Sequence, residues 1–266
     1  MSYAIGRWRL PSFAWDRRAL VEILHFGKWI FFSTAIYFAA ISTDKLYFIA
    51  ALPLAVAGVY AIARTFADLF DQLAQRAGAL LIFPRLAALG AARGEAAEGL
   101  RRKRRLVLAG AALAIALALA VSDQLILLLY DDRYRLAAFM LPILFVAVWF
   151  RVLGSFADAM LMGCSRPAPG AFANSAKFIA LVVGLPLAIA QANLFVALLV
   201  LVLAEVARWA VLAPVLQRER LATILDDVLL TLLAAGGAVL AKLALGWTGL
   251  VPTVGEWWEM GRPLHG

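Results

Sequence analysis

Arg64, Asp68, Asp71 and Gln75 follow one another at intervals of four, three and four residues. On a helix such intervals bring side chains onto one face, and Gln72 and Arg76 flank that face. A guanidinium is a planar fork that fits phosphate oxygens, and carboxylates accept hydrogen bonds from hydroxyls or bind a cation. The chemistry implied is recognition rather than bond-making. A line of mixed charge suits an amphiphilic anion with a polar, sugar-like body, or a path for an ion. Arg151, Ser155 and Asp158 repeat the pattern at intervals of four and three, and Glu205 and Arg208 stand three apart. Arg64, Asp68, Asp71, Gln72, Gln75, Arg76, Arg151 and Asp158 are therefore the candidate pathway residues. For Lys177 and Arg208 two readings stand: long stems that snorkel toward the inner headgroups, or a ligand role.

No catalytic constellation accompanies them. The sequence has no P-loop, GxSxG or HExxH motif, its single cysteine is Cys164, and His25 and His265 make no motif. The adjacent pair Asp131-Asp132 could hold a divalent metal in a membrane glycosyltransferase. The neighbouring Arg133 and Arg135 point instead to a solvated turn. The chain is not expected to be an enzyme, and no cofactor or metal is expected.

The elements that must position these side chains are membrane helices. Hydrophobic residues make up 64% of the 266 and charged residues 16%, with mean hydropathy +0.87. A soluble domain is about 45–50% apolar and about 25% charged. The excess apolar surface must face lipid, where backbone groups have to pair internally, and the alternating segments of a β-barrel are absent. The fold class expected is all-α: a polytopic membrane helical bundle of about six to seven spans. A net charge of +8 would suggest nucleic acid in a soluble protein. Here the basic residues cluster at the ends of apolar runs, so nucleic acid is not an expected partner.

Spans are expected near 22–42, 56–84, 106–129, 137–162, 171–190, 194–215 and, more weakly, 227–247. Thr43-Asp44-Lys45 reads as a polar break and 46–57 as an interfacial connector. Residues 1–21 form a basic, aromatic lead-in that either lies in the headgroup layer or is a disordered tail, and they lack the apolar core of a cleavable leader. The bundle occupies 22–247, and the tail 248–266, with Trp257 and Trp258, suits an interface. The stripe on the second helix covers roughly 18 Å of rise, and a charge facing lipid at mid-depth costs at least about 2.5–3.5 kcal/mol. Its face must point at other helices or at water. Either it lines a pathway, or Arg64–Asp68 and Asp68–Gln72 pair merely to pin helices.

Orientation follows from the loops. Residues 85–105 hold seven basic residues against Glu95 and Glu98 and should be cytoplasmic. Alternation then puts the N-terminus, the Arg166 turn and the Arg218–Arg220 linker on the same side, all net basic.

Several short stretches carry a resemblance in ordered succession: Phe26-Gly27-Lys28-Trp29, Thr43-Asp44-Lys45-Leu46, Gly58-Val59-Tyr60-Ala61-Ile62-Ala63, Phe83-Pro84-Arg85-Leu86, Tyr130 through Tyr134-Arg135-Leu136-Ala137, and Gly163-Cys164-Ser165-Arg166. Over roughly 20–215 the chain resembles the second half of polysaccharide/oligosaccharide flippases, the Wzx-like branch of the multidrug/oligosaccharidyl-lipid/polysaccharide exporter superfamily. The resemblance implies one lobe of a two-lobed bundle in the bacterial cytoplasmic membrane that moves lipid-linked oligosaccharide by alternating access. Its partners would be the lipid-linked glycan, membrane lipids and a second lobe, supplied by a missing N-terminal half, a split partner or a homodimer. The alternatives are a cation or drug exporter of the same superfamily, a membrane enzyme of envelope glycan synthesis, and a non-catalytic subunit of envelope glycan assembly.

Overall fold

The computed structural model describes residues 17–88, 95–164, 166–190, 193–247 and 252–260. It is helical, with α1 at Arg17–Ala51, α2 at Leu54–Ala88, α3 at Glu95–Leu129, α4 at Arg135–Gly163, α5 at Ala168–Ala190, α6 at Leu194–Arg218, α7 at Ile224–Trp247 and a short α8 at Val254–Met260. Among the described residues there is no strand. α1 and α3 to α7 are long and apolar enough to cross a membrane. α2 falls outside that set and carries Arg64, Asp68 and Asp71 within two turns. The protein is a multi-pass membrane protein.

Local chemistry sets the helix ends. Pro53 separates α1 from α2, as expected of a residue without an N–H. Asn193 caps α6, its Oδ1 accepting from the Val196 N–H at 3.1 Å. α6 ends at Arg218, and Arg220 two residues beyond adopts φ 56°, with the Leu221 N–H donating to the Leu216 carbonyl at 3.0 Å. Thr253 and Glu256 form a reciprocal capping box on α8: the Thr253 N–H donates to Glu256 Oε2 and the Glu256 N–H to Thr253 Oγ1. The bond from the Thr253 N–H also holds the exposed Glu256 carboxyl below its ordinary pKa.

Two expected boundaries move. Thr43-Asp44-Lys45 is not a break, because α1 runs through it. The Thr43 hydroxyl donates to the Ala39 carbonyl at 2.8 Å and Asp44 pairs with Arg64, so neither polar group needs water. Residues 46–51 complete α1 instead of forming a connector. Likewise the basic block 101–105 belongs to α3, where Arg104 is buried against Asp227 at 2.7 Å. Residues 17–21, expected in the lead-in, open α1. Residues 1–16, 89–94, 165, 191–192, 248–251 and 261–266 lie outside the described part, and with them the rest of the lead-in, the middle of the basic connector and much of the tail.

α4 is the central helix. It packs against α2, α3 and α6, while α5 lies on α6, α1 on α5 and α7 on α3. Phe139, Phe145, Leu153 and Met160 on α4 are among its fully enclosed side chains. Trp257 and Trp258 of α8 meet Phe139 at the start of α4, and Trp258 also meets Phe195 at the start of α6, so α8 seals that end. The peripheral helices turn large apolar side chains outward, such as Phe31 and Phe38 on α1 and Leu232 and Leu240 on α7. That surface suits acyl chains. α1 and α2 meet near their shared turn, where Phe48 stacks on Tyr60 at 4.1 Å. Beyond it α1 leans on α5 while α2 follows α4, so the two diverge.

The α5–α6 hairpin depends on a missing side chain. A Cβ on Gly184 would lie 2.7 Å from Val200 Cγ1, and small residues are what let membrane helices approach closely. Gly184→Ala is expected to destabilise the fold by about 1–3 kcal/mol, read as a lower melting temperature in detergent. An unchanged melting temperature would show that the hairpin tolerates the added methyl.

Candidate functional site

α1, α2, α4, α5 and α6 each contribute polar side chains to one continuous chain of contacts. It starts where α1 meets α2: Arg64 Nη1 lies 2.7 Å from Asp44 Oδ2, and Arg64 Nε donates to Asp68 Oδ1 at 3.1 Å. Lys45, half exposed, lies 3.8 Å from the other oxygen of Asp68. Asp68 passes the chain to α4, since Arg151 Nη1 sits 3.2 Å from Asp68 Oδ1 and 3.4 Å from Asp71 Oδ2. Arg151 Nε donates to Glu205 Oε1 on α6 at 2.8 Å, and Lys177 Nζ on α5 donates to the same oxygen at 2.7 Å.

A second group follows along the same helices, toward the end of α4. Arg208 Nη2 donates to Asp158 Oδ2 at 2.5 Å and its Nε to Asn174 Oδ1 at 2.8 Å. Asn174 Nδ2 donates to Ser33 Oγ at 2.9 Å and to the Ser33 carbonyl. The Tyr37 ring bridges the two groups, with Lys177 Nζ 5.2 Å and the Arg208 guanidinium 5.4 Å from its centroid. Asp44 and Ser33 are eleven residues apart on α1, so the polar chain extends over roughly 16 Å of rise, about half of a hydrocarbon layer of about 30 Å.

Charge is balanced along this line. Arg64, Arg151, Lys177, Arg208 and Lys45 face Asp44, Asp68, Asp71, Glu205 and Asp158. Buried charges persist only when paired and hydrogen-bonded, and pairing explains why these helices remain together. It is incomplete at single atoms. Asp71 Oδ1, Glu205 Oε2 and Arg208 Nη1 are buried without a hydrogen-bond partner, so two acceptors and one donor remain unsatisfied inside the bundle. Glycines fit the helices around the groups. A Cβ on Gly154 would lie 3.2 Å from Arg208 Nη1, and one on Gly170 would overlap Asp158 Oδ1.

Five of the eight residues marked by spacing, Arg64, Asp68, Asp71, Arg151 and Asp158, enter the chain. Gln75 reaches it from an exposed position, its Nε2 donating to Asp71 Oδ2 at 2.9 Å. Gln72 and Arg76 are exposed and lie to the side. Snorkelling of Lys177 and Arg208 does not occur. Both are buried, because Glu205 and Asp158 offer them carboxylates inside the bundle. Asp44, expected in a polar break, is buried as well. Sequence reasoning gave Ser33, Tyr37 and Asn174 no role. The interval of three between Asn174 and Lys177, matching that between Glu205 and Arg208, is the signal that places them on one face.

A family model for polysaccharide biosynthesis proteins matches residues 1–138, just over half of the chain. The chain belongs to this family. The part matched to the polysaccharide biosynthesis family runs into the start of α4, so it includes Asp44, Arg64, Asp68 and Asp71 and ends before Arg151. No curated protein and no solved structure matches the chain.

A separate set of ion pairs holds α7. Asp123 of α3 pairs with Lys242 inside the bundle, Arg104 with Asp227, and Arg105 with Asp226. Trp209 Nε1 donates to Asp227 Oδ2 at 3.0 Å and Trp149 Nε1 to Thr231 Oγ1 at 2.9 Å. Single charges in apolar runs had given no sequence signal, because each partner lies on a distant helix. Lys242→Met is expected to strand the fully buried Asp123 and cost about 3–5 kcal/mol, whereas Asp123→Leu combined with Lys242→Met should recover most of the loss. Denaturation of both variants in detergent checks this. A double variant no more stable than Lys242→Met would show that the pair is not the clamp.

Proposed function

We propose that the chain is one lobe of a transporter that moves lipid-linked oligosaccharide across the bacterial cytoplasmic membrane by alternating access. The reading rests on one observation: a charge-balanced line of side chains from five helices inside an otherwise apolar bundle, along the divergence of α1 and α2. Guanidinium groups suit the phosphates of a lipid carrier and carboxylates suit sugar hydroxyls. Membership of the polysaccharide biosynthesis family supports a glycan as cargo. A transporter needs no bond-making residues, and on this reading the protein is not an enzyme.

The arrangement in the membrane follows from charge. The basic ends of α1 and α3 and the Arg166 and Arg218–Arg220 turns lie on the cytoplasmic side, with the N-terminus. The chain corresponds to the second lobe of a Wzx-like flippase. Gln72, Gln75 and Arg76, exposed on α2, then face the opposite lobe, which comes from a preceding half, a split partner or a second copy of the chain.

The pairing also favours a second reading, a membrane subunit of glycan assembly in which these ions only pin helices. Flux separates the two. In vesicles containing the protein and labelled lipid-linked oligosaccharide, Arg64→Ala and Asp71→Ala are expected to abolish movement between leaflets although both variants insert. Normal flux in both would refute the pathway. No flux with the wild-type protein, together with Asp68→Asn and Asp71→Asn variants that lose stability, would favour the subunit. Movement of a small organic cation without the glycan would assign the cargo class of the drug exporters.

A further inference from the structure

A trough of roughly 590 Å³ lies at the N-terminal end of α1, against the turn joining α4 to α5. Its size falls within the roughly 300–1,000 Å³ typical of small-ligand sites. Phe26, Trp29, Pro167 and Pro169 supply apolar walls, and His25 and Arg166 are its polar members. Lys28 adds charge beside it, its ammonium 5.8 Å from the Trp29 ring centroid, and Arg17 is exposed at the start of α1. Arg166 Nη1 bonds Glu219 while its side chain stays more than half exposed.

We propose that this trough holds the phosphate end and the adjoining hydrocarbon of a long-chain lipid phosphate. The inference rests on the transport reading and assigns the place where the lipid carrier docks. An apolar channel with a basic mouth complements an anionic head on an apolar chain. A neutral lipid or an apolar helix would fill the walls but offer nothing to His25, to Lys28 or to the guanidinium nitrogens of Arg166 that Glu219 does not take. The trough also adjoins the ion chain. Trp29 precedes Ser33 by one helical turn, and Pro169 adjoins Gly170, whose Cβ would meet both Ser33 Oγ and Asp158. A phosphate at the mouth therefore places whatever is attached to it within about a turn of Arg208 and Asn174.

The test uses the whole protein in detergent with undecaprenyl phosphate as probe, and undecaprenol and phosphatidylglycerol as comparisons, scored by native mass spectrometry. Undecaprenyl phosphate is expected to be retained over both. Binding should weaken about tenfold or more when His25→Gln and Arg166→Gln are combined, and Arg166→Lys should retain most of it. Equal retention of undecaprenol would reduce the trough to a greasy surface, and equal retention of phosphatidylglycerol would make it a bulk-lipid site. Either result overturns the proposal, as does wild-type binding by the double variant. If that variant does not insert, a diazirine-bearing undecaprenyl phosphate on the wild-type protein reads the same site. Labelling at Trp29 and residues 167–169 supports it, and labelling confined elsewhere sinks it. Binding without any leaflet-to-leaflet movement would remove the transport reading and leave the docking site. Movement with unaltered binding in the double variant would remove the docking site alone.

Discussion

A guanidinium enclosed on every side by protein persists only where carboxylates come to it, and in this bundle that group is Arg151. It sits on the central helix and touches Asp68 and Asp71 of α2 and Glu205 of α6. Leaving such a charge bare would cost several kcal/mol, so the rotation of α2 and α6 about their own axes is constrained by where these carboxylates must point. Lys177 shares the Glu205 oxygen and extends the constraint to α5. Arg64 and Asp44 extend it to α1. Packing of apolar side chains supplies bulk contact, but apolar contacts in lipid do not discriminate well between rotations of a helix, because acyl tails are as apolar as leucine. The ions supply that discrimination.

The peripheral helices show the same division of labour. α1 and α7 turn Phe, Leu and Val outward, while Asp44 on α1 and Asp227 on α7 are buried against other helices. On α7 both Asp227 and Lys242 point at α3, toward Arg104 and Asp123. The ionised groups at mid-helix thus avoid lipid while the helices remain apolar enough to enter it. Where charges fall within the apolar run, on α2, the helix loses the composition of an independent span and packs on α4 beside it.

Much of this was legible in the sequence, and the reasons differ by element. Runs such as those of α4 and α6 are long, apolar and bounded by turn residues, so their ends were located within a few residues. The stripe on α2 was legible because helical spacing is a local property. What failed was the treatment of polar residues as boundaries. Asp44 and Arg104 looked like loop residues because solvation was assumed where pairing occurs instead, with Arg64 and with Asp227. Their partners stand 20 and 123 positions away, and no local pattern announces a contact of that range. Tyr37 and Ser33 were invisible for a related reason: their roles come from residues on α5 and α6 that fold against them. The glycine requirement at positions 154 and 170 likewise exists only once Arg208 and Asp158 are in place.

Because Arg151 has three carboxylates within reach, 3.2 and 3.4 Å from Nη1 on α2 and 2.8 Å from Nε on α6, no single one of them is indispensable at every instant. One residue of helical travel is about 1.5 Å. Asp68 and Asp71, three residues apart, are about 4.5 Å apart along α2, and both already lie against the same Nη1. The loss of any one carboxylate leaves the guanidinium with two others, so the clamp across α2, α4 and α6 carries a built-in reserve.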